Sequence, residues 1–268
     1  RLRLRLEKSG VPPGPEWKKA AARLELGLAV KAKLWKDAVS SFEELMRLGG
    51  GCELPYRYFE VESALAEVSP EERRAALETA RAALVPVANA RWFGKPEDRC
   101  ADSRSLAEAT AEVYDGLGRA TERSAFLDGV VAELERREAA AGGPGQDRNL
   151  DDDMRFFLDL SGRKDALEAF LGKLVAAYPS DYVYPYRTAL FLRGEHRDAD
   201  ALAYAEKSYR LSYGGNRFSA ARLYAELLAE AGRKKEASAL LRRELRAARA
   251  HFQDQVPALR KTLKKIGG

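Results

Sequence analysis

Apolar residues in this chain recur every three or four positions, the spacing that lines one face of an α-helix, and the period-two alternation of a strand is confined to the start. Trp17, Leu24, Leu28 and Leu34 share such a face, and a break near Leu34-Trp35 leads into a second helix over 36–48. The same reading predicts helices over 56–68, 70–90, 103–118, 119–141, 149–162, 163–178, 182–193, 199–213, 216–231 and 234–251, with a short basic helix after Pro257. Ser69-Pro70-Glu71-Glu72 is a strong start signal: Ser at the N-cap, Pro in the first turn and acids beside it. Asn149 is the expected cap of the helix that begins Asp151-Asp152-Asp153, and Pro86 predicts a kink or an early end. Arg1-Leu2-Arg3-Leu4-Arg5-Leu6 fits a short strand, so residues 1–15 read as a linker or the remnant of a preceding domain.

The helices come in pairs across short breaks. Three second helices open with Lys, an acid and Ala, then a large residue one turn on: Ala38 with Phe42, Ala166 with Phe170, and Ala237 with Leu241. A small and a large residue four apart let a neighbouring helix approach closely at one level and be wedged at the next. The expected fold is therefore all-α: an irregular α-solenoid of about six helical hairpins. Residues 16–142 form degenerate repeats and 143–268 clearer ones, jointed at Gly142-Gly143-Pro144-Gly145 within one continuous array.

Glycines inside the predicted hairpins fall at 118, 162, 194 and 232, spacings of 44, 32 and 38 that scatter around a period of roughly 34 residues. Gly232-Arg233-Lys234-Lys235-Glu236-Ala237 with Leu241, after Ala225 and Leu228, resembles the turn and second helix of a tetratricopeptide repeat. Gly162-Arg163-Lys164-Asp165-Ala166 with Phe170 is similar but one residue short between its Gly and its Ala. A narrower resemblance covers about 148–265. Tyr178-Pro179-Ser180-Asp181-Tyr182 with Pro185 and Arg187, Tyr213-Gly214 with Arg217, Gly232 with Ala237, and Pro257 with Leu259 resemble the C-terminal helical region of bacterial thioredoxin-family proteins. That resemblance implies a bacterial protein, periplasmic or cytoplasmic, and an accessory region rather than a redox centre, because the chain has no Cys-X-X-Cys.

Composition adds limits. No apolar run approaches the roughly 20 residues that span a bilayer. The chain begins at Arg1 with no Met and no signal-like segment, as expected of a processed or excised product, so the compartment stays open. Cys52 and Cys100 both fall in predicted loops, where a disulfide and two free thiols are both open readings. Eleven of the Lys and Arg residues lie in 233–265 against Glu236, Glu244 and Asp254, a local balance of +8 within a net +5.

Candidate chemistry is sparse. Asp151, Asp152 and Asp153 point in different directions around a helix and suit its N-terminal dipole better than a metal ion. His196 and His251 have no ligand-spaced companion, and an enzyme would need converging acids, for which the Glu60, Glu62 and Asp102 region is the first place to look. No catalytic residue, cofactor or metal is expected. Tyr178, Tyr182, Tyr184 and Tyr186 read either as wedges between hairpins or as part of a peptide groove. The expected function is a non-catalytic scaffold binding a protein or peptide on the face formed by first helices, through Tyr182, Tyr186, Arg187, Leu190, Arg217, Arg222 and Tyr224. The alternative is binding of nucleic acid or an anionic surface by the basic helices in 233–265. Nucleic acid is not the expected partner on sequence grounds, because cations also collect on exposed helix ends and on the cap of a helical array. Nothing in the sequence sets the oligomeric state.

Overall fold

A computed structural model describes residues 14–49, 53–94 and 103–267. Among these residues the regular structure is helical throughout: α1 (Pro15–Lys31), α2 (Trp35–Leu48), α3 (Leu54–Glu67), α4 (Pro70–Phe93), α5 (Ser103–Gly116), α6 (Ala120–Ala141), α7 (Arg148–Leu160), α8 (Lys164–Ala177), α9 (Val183–Gly194), α10 (Asp198–Leu211), α11 (Asn216–Glu230), α12 (Lys234–His251) and α13 (Val256–Gly267). They pair as six hairpins, α1–α2 through α11–α12, with α13 following a single 3-10 turn. The expectations placed on Arg1 to Pro13, Cys52, Cys100 and Asp102 lie outside the described residues.

Five of the six hairpins close with one turn geometry. Lys33, Gly118, Gly162, His196 and Gly232 have φ of 57°, 69°, 70°, 58° and 79°. Each donates its N–H to the carbonyl three residues back, and the next residue donates to the carbonyl five back; Gly232 reaches Ala229 at 3.0 Å and Arg233 reaches Leu228 at 2.8 Å. This is the Schellman ending, which satisfies helix-terminal carbonyls and requires one left-handed residue. The turn between α9 and α10 therefore uses His196, while Gly194 is the last residue of α9. The last three intervals between turn residues become 44, 34 and 36, closer to the roughly 34-residue period than the glycines alone suggest.

The turn fixes the face of the helix that follows. In four of the five hairpins the fifth residue after the left-handed position is Ala38, Leu167, Ala201 or Ala237, each at most 4% exposed, and the ninth is Phe42, Leu171, Ala205 or Leu241, each at most 1%; after Gly118 the fifth is the half-buried Arg123 and the ninth is the buried Leu127. Ala166, expected as the small contact of α8, is exposed instead. Leu167 and Leu171 take the inward places because distance from the turn sets helical phase, whereas the Lys-acid-Ala motif does not.

The α3–α4 hairpin closes differently. Ser69 Oγ accepts from the Glu72 N–H (3.3 Å), and Glu72 accepts from the Ser69 N–H (3.0 Å), the reciprocal capping box the sequence signals. Pro86 does not end α4, which continues to Phe93. Pro86 lies on the exposed side, so the carbonyl it leaves unpaired is free to meet water. At the start of α7, Asp147 is the cap rather than Asn149, its carboxylate accepting from the N–H groups of Asn149 (2.9 Å) and Leu150 (3.3 Å).

The chain divides into two compact units, Arg1–Arg137 and Glu138–Gly268. Unit 1 is built around Leu26, Phe42, Leu77, Leu84, Leu106 and Leu127, all below 2% exposed. In unit 2, one apolar cluster joins Phe218, Leu228 and Leu241 of the last hairpin to Val256, Leu259 and Ile266 of α13. Another links Ala189 and Leu192 of α9, Ala201 and Ala205 of α10, and Leu223 and Leu227 of α11. No helix is long and apolar enough to cross a membrane among the described residues.

Gly145 and Gly232 separate two costs of a turn glycine. At Gly145 (φ 93°) a Cβ would lie 2.7 Å from Ala177 Cβ, whereas at Gly232 it meets nothing within 4 Å. Gly232→Ala is expected to cost about 1 kcal/mol of left-handed strain, and Gly145→Ala about 3 kcal/mol because α8 must also move. Urea midpoints followed by circular dichroism check the order; equal midpoints for the two variants would contradict it.

Candidate functional site

In unit 2 the first helices α7, α9 and α11 each succeed a tight loop, so their register is set by the residues at their starts. Asp151 holds the first of these loops. It is 1% exposed and accepts from the Gly145 N–H (3.1 and 3.2 Å to its two oxygens) and from the Tyr178 hydroxyl (2.6 Å). The acid expected to serve the helix dipole is thus a buried acceptor joining three segments. Burial, then the bond to Asp151, pushes the Tyr178 phenol well above its usual range.

The tyrosine run divides by burial. Tyr184 is fully buried and stacks on Tyr178 at 4.7 Å, with the Arg148 guanidinium 5.5 and 5.7 Å from the two rings and ion-paired to Asp181 at 2.5 Å. Tyr182, half-buried, sits edge-on to the exposed Tyr213 at 5.8 Å. Tyr186 is half-buried against both apolar clusters. These rings fix the α8–α9 turn against its neighbours before any of them can meet a ligand.

Arg187 and Leu190 come together. They open onto a pocket of about 360 Å³ where α7 and α8 meet α9. Its apolar lining is Leu158, Leu167, Leu171, Leu190 and Phe191, and its charged lining is Arg155, Asp159, Lys164, Arg187 and Glu195. Leu190 is 44% exposed, a large apolar side chain left open beside the pocket's charges. Arg187 is ion-paired to Asp152 of α7, and Lys164 to Glu195 at 2.7 Å. Arg155 and Asp159 were not among the expected site residues. Their four-residue spacing on α7 is the only signal of them in sequence, and every surface helix carries such pairs.

Arg217 and Tyr224 belong to a different cluster. Arg217 donates to Glu244 Oε2 at 3.1 Å and lies 4.5 Å over the Tyr209 ring, on which Tyr224 stacks at 5.9 Å. Tyr209 donates its hydroxyl to Glu244 Oε1 and accepts from Arg217 and Arg243. Arg222, half-buried, reaches only Ser219 Oγ among the described residues, at 3.3 Å. The seven expected residues therefore do not form one site: Arg187 and Leu190 share a pocket, and Arg217 and Tyr224 share the Tyr209 ring.

In unit 1, Glu60 pairs with Arg57 at 2.5 Å, while Glu62 faces Tyr58 and Glu112. Burial, followed by the charges of Glu62 and Glu108, pushes the Glu112 carboxyl up. Among the described residues no group of three or more His, Cys, Asp and Glu is arranged to hold a metal ion.

No family model matches the chain, and no curated protein matches it. Solved helical-repeat structures are similar to it. The nearly identical TPR-like repeats of a putative kinesin light chain from Podosopora anserina are 17% identical over 80% of this chain and 95% of that one, with a TM-score of 0.45. BtubC (BKLC) from P. vanneervenii is 13% identical over 90% and 94%, with a TM-score of 0.43. A tetratricopeptide repeat protein from Parabacteroides merdae is 13% identical over 94% and 99%, with a TM-score of 0.35. Likeness at this level carries no argument about partners. The tetratricopeptide-like repeat rests on the turns and buried positions described above.

Burial raises the Glu244 carboxyl pKa, but Arg217, Tyr209 and Arg243 outweigh it and hold the carboxyl below its usual range. A lowered folded-state value means that the contribution is complete above the unfolded carboxylate range and is lost as pH falls through the folded value. Glu244→Ala, which strands Arg217 and Tyr209, is expected to cost about 3 kcal/mol at pH 7. The gap to the parent protein should shrink as pH drops below about 4. Urea midpoints of both proteins across pH check this, and a gap independent of pH would contradict it.

Proposed function

We propose that the protein is a non-catalytic scaffold that holds a segment of another protein against the pocket between α7, α8 and α9. The observation that carries the reading is Leu190, an exposed apolar residue beside Phe191, Leu158, Leu167 and Leu171 within a ring of charges. An apolar centre with a polar rim is the make-up of a protein-binding patch, and the volume suits one or two anchoring side chains. Two of the rim cations already have carboxylate partners, so attraction at the rim favours orientation over raw affinity. The expected ligand is an extended or helical segment that places Leu, Met or Phe in the pocket.

The finer reading, an accessory region of a thioredoxin-like protein, is supported by the order of the motifs between Tyr178 and Leu259. A thioredoxin domain encoded ahead of Arg1 in the gene would strengthen it, and an unrelated domain there would remove it.

Selection of a random peptide library on the full chain tests the pocket. Enriched peptides are expected to carry a large apolar anchor and to bind Leu190→Asp at least about tenfold more weakly, the loss that follows from placing a charge against one buried side chain. No enrichment, or peptides that bind Leu190→Asp as well as the parent, would count against the proposal.

A further inference from the structure

Most arginines of unit 2 have carboxylate partners. Arg148 pairs with Asp181, Arg193 with Glu226 and Glu230, Arg197 with Glu168 and Asp200, and Arg210 with Glu206, all at 2.5 to 2.9 Å. The C-terminal helices break this habit. Lys234, Lys235, Arg242, Arg246 and Arg249 of α12 and Arg260, Lys261 and Lys264 of α13 are all exposed, and none has an ion-pair partner among the described residues. Of the eleven cations in 233–265, only Arg233, Arg243 and Lys265 face a carboxylate among the described residues.

Their placement is ordered. Lys235, Arg242, Arg246 and Arg249 are separated by seven, four and three residues, which puts them within about 60° of one another around α12 and along about 21 Å of its length. The buried residues of α12, Ala237, Leu240, Leu241, Glu244 and Ala248, occupy the opposite side. The stripe therefore runs along the part of the helix turned furthest from the core.

Its composition selects among polyanions. The apolar side of α12 is packed within the protein, leaving nothing to insert into a bilayer as an interfacial helix does. Between Lys235 and Arg249 the uncharged exposed residues of α12 are Ala239 and Ala247, with no ring among them to anchor a protein interface or to stack an unpaired base. Three of the four stripe cations are arginines, whose planar fork matches phosphate oxygens two at a time. A duplex presents a charge about every 1.7 Å of its axis and needs no apolar contact to hold a cationic face.

We propose that the outer face of α12, together with the cations of α13, binds double-stranded nucleic acid through its phosphates and without reading its sequence. This activity is independent of the pocket beside Leu190. The local charge balance alone does not point to it; the lack of ion-pair partners and the single-sided alignment do.

Fluorescence anisotropy of a labelled DNA duplex of about two helical turns, titrated with the full chain, tests the proposal. Four to seven phosphate contacts give a log affinity against log salt slope of about −4 to −6, a loss of roughly 250- to 4,000-fold between about 50 and 200 mM salt. Arg242→Gln/Arg246→Gln/Arg249→Gln is expected to flatten the slope by about 3 while keeping the urea midpoint, because these side chains are exposed and make no ion pair among the described residues. Leu190→Asp should bind the duplex as the parent does, which keeps this proposal separate from the peptide pocket. No duplex binding at low salt, an affinity flat with salt, a triple variant with the parent's slope, or tighter binding to phosphatidylserine vesicles or polyglutamate than to the duplex would overturn it.

Discussion

One backbone constraint recurs in five of the six hairpins of this protein: a single residue in the left-handed region, closing a Schellman ending between the two helices. With that residue in place, the next helix begins two positions later, and in four of the five hairpins the residues five and nine positions after it turn inward. Ala38 with Phe42 and Ala237 with Leu241 follow from this geometry, and so do Leu167 and Leu171. Because the constraint acts on φ and not on a motif, it admits Lys33 and His196 as well as glycine, at a strain that the two satisfied carbonyl groups and the packing beyond help to offset. The repeat persists in the backbone even where its sequence signature has faded.

Within unit 2, polar groups are handled in two ways. Inside, they are tied to one another: Asp151 gathers a loop amide and a tyrosine hydroxyl, and Glu244 gathers Tyr209, Arg217 and Arg243. A buried carboxylate left alone would be costly, and these networks supply its partners while fixing neighbouring hairpins in register. Outside, the row of cations on α12 has no such partners. Arginines thus serve opposite ends, with a carboxylate within reach deciding which.

The legible part of the fold was the part governed by local rules. Helix positions follow from apolar spacing, and the Ser69 capping box is formed as its residues announce. Less legible were features in which two local signals compete. Gly194 looks like the turn residue, but α9 runs one position beyond the preceding Arg193 and His196 takes the left-handed place. Asn149 and Asp147 are both good caps, and the choice depends on where α7 starts. Of the candidate site, Arg187 and Leu190 open onto one pocket, whereas Arg217 and Tyr224, seven apart on α11 and indistinguishable from surface residues by type, turn toward Tyr209.

The sequence by itself determined the helical class, the hairpin pairing and the concentration of positive charge near the C-terminus, because each depends on neighbours within a few positions along the chain. Only the tertiary structure decided which arginines are paired and which are open, that Asp151 and Glu244 are buried acceptors, and that Leu190 stays exposed beside a pocket. The buried acceptors depend on groups 27 to 35 residues apart, as in Tyr178 with Asp151 and Tyr209 with Glu244. At such separations, helical periodicity says which side of its own helix a residue occupies, but the stacking of hairpins decides what waits on that side.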